Sequence, residues 1–154
     1  MKKRSAGILM YRCNNDLPEV LLAHPGGPYY RNKDRGVWSI PKGEFDDTEK
    51  PQDAAIREFK EELGTGIAGD LIELHPVVQK SGKQVLAWAV KGDLDPSTIQ
   101  SNTFPLEWPP GSGKIQQFAE IDRVEWLSIT AAKEKIIAGQ VPLLDELSKL
   151  LENN

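Results

Sequence analysis

The stretch PQDAAIREFKEELG, Pro51 to Gly64, constrains the fold more than any other part of the chain. At ~100° per residue, Ile56, Phe59 and Leu63 gather on one side of a helix, while Glu58, Glu61 and Glu62 fall nearly opposite. Pro51 takes the favoured first helical position and Gly64 the stop, so the spacing predicts a helix over 51–63. Its apolar stripe needs a second layer to pack on. One local rule is broken: Lys50 stands where an N-cap Ser, Thr, Asp or Asn is expected, although Asp53 suits the first turn.

Elsewhere the patterning is mostly that of strands. SAGILMY and EVLLAH, separated by the turn-forming RCNNDLP, read as neighbouring strands, and GVWSI reads as a third, ended by Pro41. QVLAWAV and VEWLSI read as later strands. From about Ala131 to Leu151, apolar and charged residues alternate at helical spacing, with an interruption near GQVP. SNTFPLEWPPGSGK, rich in Pro and Gly, suits an ordered surface loop. Strands combined with a central and a terminal helix imply an α+β sandwich, and 154 residues suit a single domain over 1–154.

Composition excludes some functions. A net charge of −4 supplies no global basic field for wrapping long duplex nucleic acid, so no stable nucleic-acid partner is expected. Cys13 is the only cysteine, which leaves no internal disulfide and no cysteine metal cluster. The apolar run before Arg12 is too short for a signal core or a membrane span, so the expectation is a soluble, cytoplasmic protein without a membrane partner.

Three glutamates on one helix face can be a solvated polar surface with Arg57 and Lys60 as neighbours. They can also be held together by a hard divalent cation, since Mg²⁺ and Mn²⁺ prefer carboxylate oxygens. What precedes the helix decides between these readings. Gly43 lies six residues before Glu49, Glu49 lies eight before Arg57, and Glu58, Glu61, Glu62 and Gly64 follow. GEFDDTEKPQDAAIREFKEELG thus matches G-x5-E-x7-R-E-U-x-E-E-x-G-U, with U a bulky aliphatic residue whose first place Phe59 fills as a bulky aromatic, and resembles the Nudix box. A chance match of these fixed positions has a probability of about 10⁻⁸ per window at average residue usage. Thr65, at the last U, is the one departure and concerns packing.

The resemblance implies a Nudix-type α/β/α sandwich with a mixed β-sheet between helices, and a Mg²⁺ or Mn²⁺ cofactor. It implies that Glu58 and Glu62 are the primary metal ligands, with Glu61 a further ligand or the general base, and that the backbone carbonyl of Lys42 joins them. Gly43 would let the backbone pass close to the metal, Gly64 would end the helix, and Arg57 would pair with Glu49 to hold the loop-helix turn. Glu120 in FAEIDRVEW is a candidate extra ligand, against an alternative as an ordinary loop carboxylate.

The implied reaction is hydrolysis of a nucleoside diphosphate linked to another group, by water attack on phosphorus. SAGILMYR, EVLLAH and GVWSIPKGEFDDTE together resemble the asymmetric dinucleoside tetraphosphate (Ap4A-type) hydrolases, as do KQVLAWAVKGDLD and EIDRVEWLS. Nucleotide or dinucleotide polyphosphates are therefore the expected substrates. Competing readings are a nucleotide-pool hydrolase of ordinary or oxidised nucleoside triphosphates, an RNA 5′-end pyrophosphohydrolase, and a nucleotide-sensing module that binds without cleaving. Tyr29, Tyr30, Arg31, Lys33 and Arg35 share a Gly/Pro-rich loop able to stack a base and meet phosphate, or form merely a charged surface; Lys42, beside the box, is the better phosphate candidate. Trp38, Trp126, His24 and His75 read as structural. GTGIAG and PPGSGKI resemble phosphate-loop patterns but lack the required context.

Overall fold

A computed structural model describes residues 3–152; the two residues at each end of the expected 1–154 span lie outside the described residues. Strand β1 (Arg4–Asn14) turns into β2 (Leu17–Pro25) through Asn15 and Asp16, both left-handed at φ 53° and 65°, which Asn and Asp tolerate in a tight hairpin. A short β3 (Lys42–Glu44) leads to helix α1 (Pro51–Leu63). Two-residue strands β4 (Ile72–Glu73) and β5 (Val77–Val78) precede β6 (Gln84–Lys91). Next come β7 (Thr103–Glu107), β8 (Ile115–Ala119) and β9 (Ile121–Ser128). Helices α2 (Ile129–Lys135) and α3 (Val141–Glu152) close the chain, separated by a 3₁₀ turn at Ala138–Gln140.

The main sheet runs β4-β6-β1-β2-β9; β1 and β6 are parallel, while the other recorded pairs are antiparallel, so the sheet is mixed. Alternate residues of β1 serve opposite faces. Ile8 and Met10 pack with Ala54, Ala55, Phe59 and Leu63 of α1, while Leu9 and Tyr11 pack with Leu143, Leu144 and Leu147 of α3. Both faces are thus covered, giving the helix-sheet-helix sandwich. Full burial of Phe59 alone is worth roughly 1.5–3 kcal/mol. Ile56, expected on the stripe of α1, lies at its margin, and Ala54 and Ala55 take the buried positions instead.

One feature of the pairing positions the site. β2 pairs with β1 only from Tyr11 to Asn14, and its later residues pair with β9. The early half of β1 takes β3 as its neighbour instead, Ser5 to Gly7 against Lys42 to Glu44. The sheet therefore splits, with β3 on one side of the opening and β2 with β9 on the other.

Two sequence expectations are corrected. GVWSI is not a strand: Trp38 bridges to Ile136 and Ser39 to Ala23, so consecutive residues take different neighbours and no ladder forms. SNTFPLEWPPGSGK is not a loop throughout, because Thr103–Glu107 forms a hairpin with Ile115–Ala119. Pro105 masked that strand in the sequence, yet a proline is tolerated where no partner needs its missing N–H. The helix over 51–63 has the expected ends: Lys50 is extended with no side-chain cap, and Gly64 adopts φ 76° while its N–H donates to the Lys60 carbonyl at 2.8 Å.

Candidate active site

The loop-helix junction is braced by charge. Arg57 on α1 donates from Nε and Nη2 to the two carboxylate oxygens of Glu49, both at 2.8 Å, a two-pronged bond that fixes the turn between β3 and α1. Its Nη1 also donates to Glu58 at 2.9 Å and to Glu61 at 3.2 Å. Bonding to Arg57 holds the Glu49 carboxyl below its ordinary range, and bonding to Glu49 foremost holds the guanidinium above its own.

Across from α1, β3 presents its free edge. The bonds Ile8 N–H to Pro41 O and Phe45 N–H to Arg4 O flank β3 and set its alternation: the backbone groups of Gly43 face β1, and the N–H and C=O of Lys42 face away, into the opening. Glu62 meets that edge, its Oε2 accepting from Lys42 N–H at 3.0 Å. Gly43 lies against Glu58: a Cβ there would stand 2.0 Å from the Glu58 carboxyl carbon, so any side chain at this position displaces the carboxylate or the strand.

Glu120, between β8 and β9, completes the ring. Its N–H donates to Asn102 O at 2.9 Å, and Asn102 N–H donates to Glu61 O at 3.3 Å, so the base of the β7–β8 hairpin is tied to the end of α1. The structure thus gathers Lys42, Gly43, Glu58, Glu61, Glu62 and Glu120 around one depression, which Ser5, Glu44, Lys83 and Asn102 also line. Sequence reasoning passed over these last four; nothing in their local spacing ties them to the helix. Glu44 had the only available signal, adjacency to Gly43.

The electrostatics are those of crowded acids. Burial pushes the Glu62 carboxyl up to about 8, helped by the charges of Glu58 and Glu120 and opposed by the Lys42 N–H and ammonium. Burial also raises Glu58, where Arg57 opposes and Glu61 and Glu120 add to the rise. Burial lowers the Lys42 ammonium, aided by Lys83. Among the described residues, no three carboxylate, imidazole or thiol groups stand gathered as a ready cation cage, since Arg57 draws Glu58 and Glu61 to itself. The donor set nevertheless fits a hard divalent ion: Glu58, Glu61, Glu62 and Glu120 offer carboxylate oxygens, and a cation there would relieve the burial and the like charges that hold the Glu62 carboxyl up.

A cavity of about 470 Å³ adjoins this depression, sharing Lys42, Glu62 and Glu120 with it and continuing between Ala23, Ile40, Ile121 and Ile137. Of the aromatic and basic loop residues only Tyr30 lines it. Tyr29 is exposed and meets Trp108 of the hairpin edge-on at 5.3 Å, Arg31 is exposed, Lys33 reaches over the Tyr30 ring at 5.5 Å, and Arg35 pairs loosely with Glu134 at 3.8 Å. The loop is anchored by buried His24, whose ring nitrogens meet Asp122 at 2.8 Å and the Lys33 carbonyl at 2.6 Å.

The NUDIX domain profile matches residues 1–147. The chain belongs to the Nudix family. Its fold is similar to that of a Caenorhabditis elegans Ap4A hydrolase in a binary complex, with 25% identity, a TM-score of 0.69 and 99% of each chain covered. It is 29% identical over 101 residues to an octanoyltransferase of Myxococcus xanthus and 48% identical over 40 residues to an RNA pyrophosphohydrolase of Gluconacetobacter diazotrophicus. Those matches take in 66% and 26% of this Nudix chain but only 25% and 22% of the two relatives, so it spans about a quarter of their length. No helix among the described residues is long and apolar enough to cross a membrane.

Proposed function

We propose that this chain is a single-domain, cytoplasmic, Mg²⁺- or Mn²⁺-dependent Nudix hydrolase that cleaves a phosphoanhydride bond of nucleoside polyphosphates, with dinucleoside tetraphosphates as the favoured substrates. The substrate class rests on the likeness, end to end, to a protein described as an Ap4A hydrolase. Glu58, Glu62 and the Lys42 carbonyl would hold the ion, with Glu61 and Glu120 as further oxygen donors. When bound, the ion neutralises phosphate oxygen charge and activates water. Glu61, bonded to Arg57 at 3.2 Å yet the most exposed of the three helix glutamates, at 42% of its side chain, is the carboxylate best able to take the proton of the attacking water. The Arg57–Glu49 pair keeps β3 and α1 in register, and the Lys42 ammonium meets phosphate at the cavity mouth. Tyr30 offers an aromatic face to the group lodged in the cavity, with Tyr29, Arg31, Lys33 and Arg35 outside it.

The experiment is a turnover panel with Mg²⁺: diadenosine tetraphosphate, ordinary and oxidised nucleoside triphosphates, and 5′-triphosphorylated RNA. Preferential cleavage of the dinucleotide is expected; none would exclude the favoured class. RNA ends are the second reading, supported by the 48% identity to an RNA pyrophosphohydrolase over 40 residues. A sensor that binds without cleaving would leave the whole panel intact.

A further inference from the structure

His24 reads as structural in the sequence, yet its neighbours connect it to the cavity. It is fully buried on β2, with the Trp38 ring edge-on at 5.0 Å. Beside it the β2–β9 ladder slips: His24 faces Arg123 and Pro25 faces Ile121, so Asp122 is left over as a bulge. A bulge re-aims a side chain. Here Asp122 Oδ1 comes to 2.8 Å from His24 Nδ1, with Arg123 Nη1 at 3.6 Å from the same oxygen. His24 Nε2 meets the Lys33 carbonyl at 2.6 Å. Both partners are acceptors, so the ring serves both when each nitrogen carries a proton and Asp122 balances the charge.

Lys33 sits in the middle of the 26–36 loop. Residues 29–36 are exposed throughout, and such a run moves unless it is tied down. Gly26 N–H donates to the Glu120 carbonyl at 2.9 Å, Lys33 N–H to the Tyr30 carbonyl at 3.0 Å, and Trp38 Nε1 to Asp34 Oδ1 at 2.9 Å. A continuous path therefore runs from Asp122 through the His24 ring and the Lys33 backbone to Tyr30. Tyr30, Gly36 and Val37 line the cavity together with Lys42, Glu62 and Glu120, so the loop forms one of its walls.

We propose that His24 is a positioning residue for substrate: its Nε2–H bond to the Lys33 carbonyl keeps the 26–36 loop, and Tyr30 with it, in place against the group lodged in the cavity. A loop in place only part of the time lowers apparent affinity by that fraction and leaves the chemistry of the bound complex alone. The bond thus acts on KM rather than on kcat. Its effect on substrate rests on the hydrolase reading above; its ordering of the loop does not.

Two amide variants separate the bonds, since the amide nitrogen of Gln reaches the place of Nε2 and that of Asn the place of Nδ1. His24→Gln keeps the donor to Lys33, His24→Asn keeps the donor to Asp122, and both lose the packing of the ring on Trp38. Steady-state kinetics with Mg²⁺ and diadenosine tetraphosphate are run at a temperature where melting curves show each protein folded. His24→Asn should raise KM about tenfold with kcat within about threefold of wild type, and His24→Gln should keep KM near wild type. Hydrogen exchange without substrate should show the Lys33 amide opening about tenfold faster in His24→Asn and not in His24→Gln. Lys33→Pro, an exposed change that deletes the bond to Tyr30 and spares the core, should raise KM as well and serves if His24→Asn does not fold.

Equal KM values in the two His24 variants overturn the proposal, because the ring then only fills the core. Unchanged exchange in His24→Asn, unchanged KM in Lys33→Pro, or a fall in kcat at unchanged KM overturns it too. If wild type binds diadenosine tetraphosphate but leaves it intact, the hydrolase reading alone fails, and calorimetric affinity for that compound replaces KM in the same comparison. A wild type that neither cleaves nor binds it overturns both.

Discussion

Glu62 sits between opposing demands: its surroundings favour a neutral carboxyl, and the role proposed for it requires a carboxylate. Its folded value of about 8 lies above the ordinary 4.5, so between these pH values the metal-free folded chain holds a proton that the unfolded chain releases. Stability on this account is full below about 4.5 and declines as pH rises toward about 8. Glu62→Gln keeps the neutral shape, so melts in chelator from pH 5 to 9 should show a flatter decline than wild type; equal slopes would refute the assignment. With Mg²⁺ present, the same variant should lose turnover by about 100-fold or more, the scale of losing a ligand or proton acceptor. Gly43→Ala tests the closest contact in the site. With a Cβ placed 2.0 Å from the Glu58 carboxyl carbon, turnover should fall by ~100-fold, as misplacement by about 1 Å commonly costs, while circular dichroism keeps its native shape.

Between elements, the site depends on joints that hydrogen bonds define. Arg57 joins the loop to α1 through a planar fork that Lys cannot reproduce. Arg57→Lys should retain the charge yet lose turnover by roughly tenfold, since one ammonium cannot satisfy both Glu49 oxygens; rates at saturating substrate would measure it. Gln140, fully buried between α2 and α3, accepts from Ile40 N–H at 3.1 Å and donates to Ser39 Oγ and Gln79 Oε1, each at 2.9 Å. It secures the segment leading to Lys42 from the far side of the sheet. Gln140→Leu leaves those partners unsatisfied, and urea denaturation should report a loss of about 2–4 kcal/mol.

For the molecule as a whole, a bound divalent ion should act as a fold stabiliser, because it binds where the folded chain concentrates carboxylates and the unfolded chain does not. Mg²⁺ at a hundred times its dissociation constant should add about 2.7 kcal/mol, or roughly 5–10 °C in melting temperature for a chain of this size, and chelator should reverse it. Because Glu62 must lose its proton first, affinity should strengthen as pH rises from 6 to 8, by up to about tenfold per unit.

The sequence by itself determined the local half of this protein. Helix α1 has its limits written in Pro51 and Gly64, and the spacing of Gly43, Glu49, Arg57, Glu58, Glu61 and Glu62 is short-range information that periodicity and motif expose. The long apolar strands were legible for the same reason. Only the tertiary structure decided what depends on distant partners. GVWSI has a strand's composition, but Trp38 and Ser39 bond to different neighbours, so it forms no ladder. Glu120 is distant from the helix in sequence, and it joins the glutamates because the base of a hairpin hidden by prolines is tied to the end of α1. Tyr30 likewise acquired its surroundings only from packing, which sets it in one cavity with Lys42, Glu62 and Glu120. Local rules specify the shape of each segment, whereas burial and electrostatic neighbours arise only once the segments are packed.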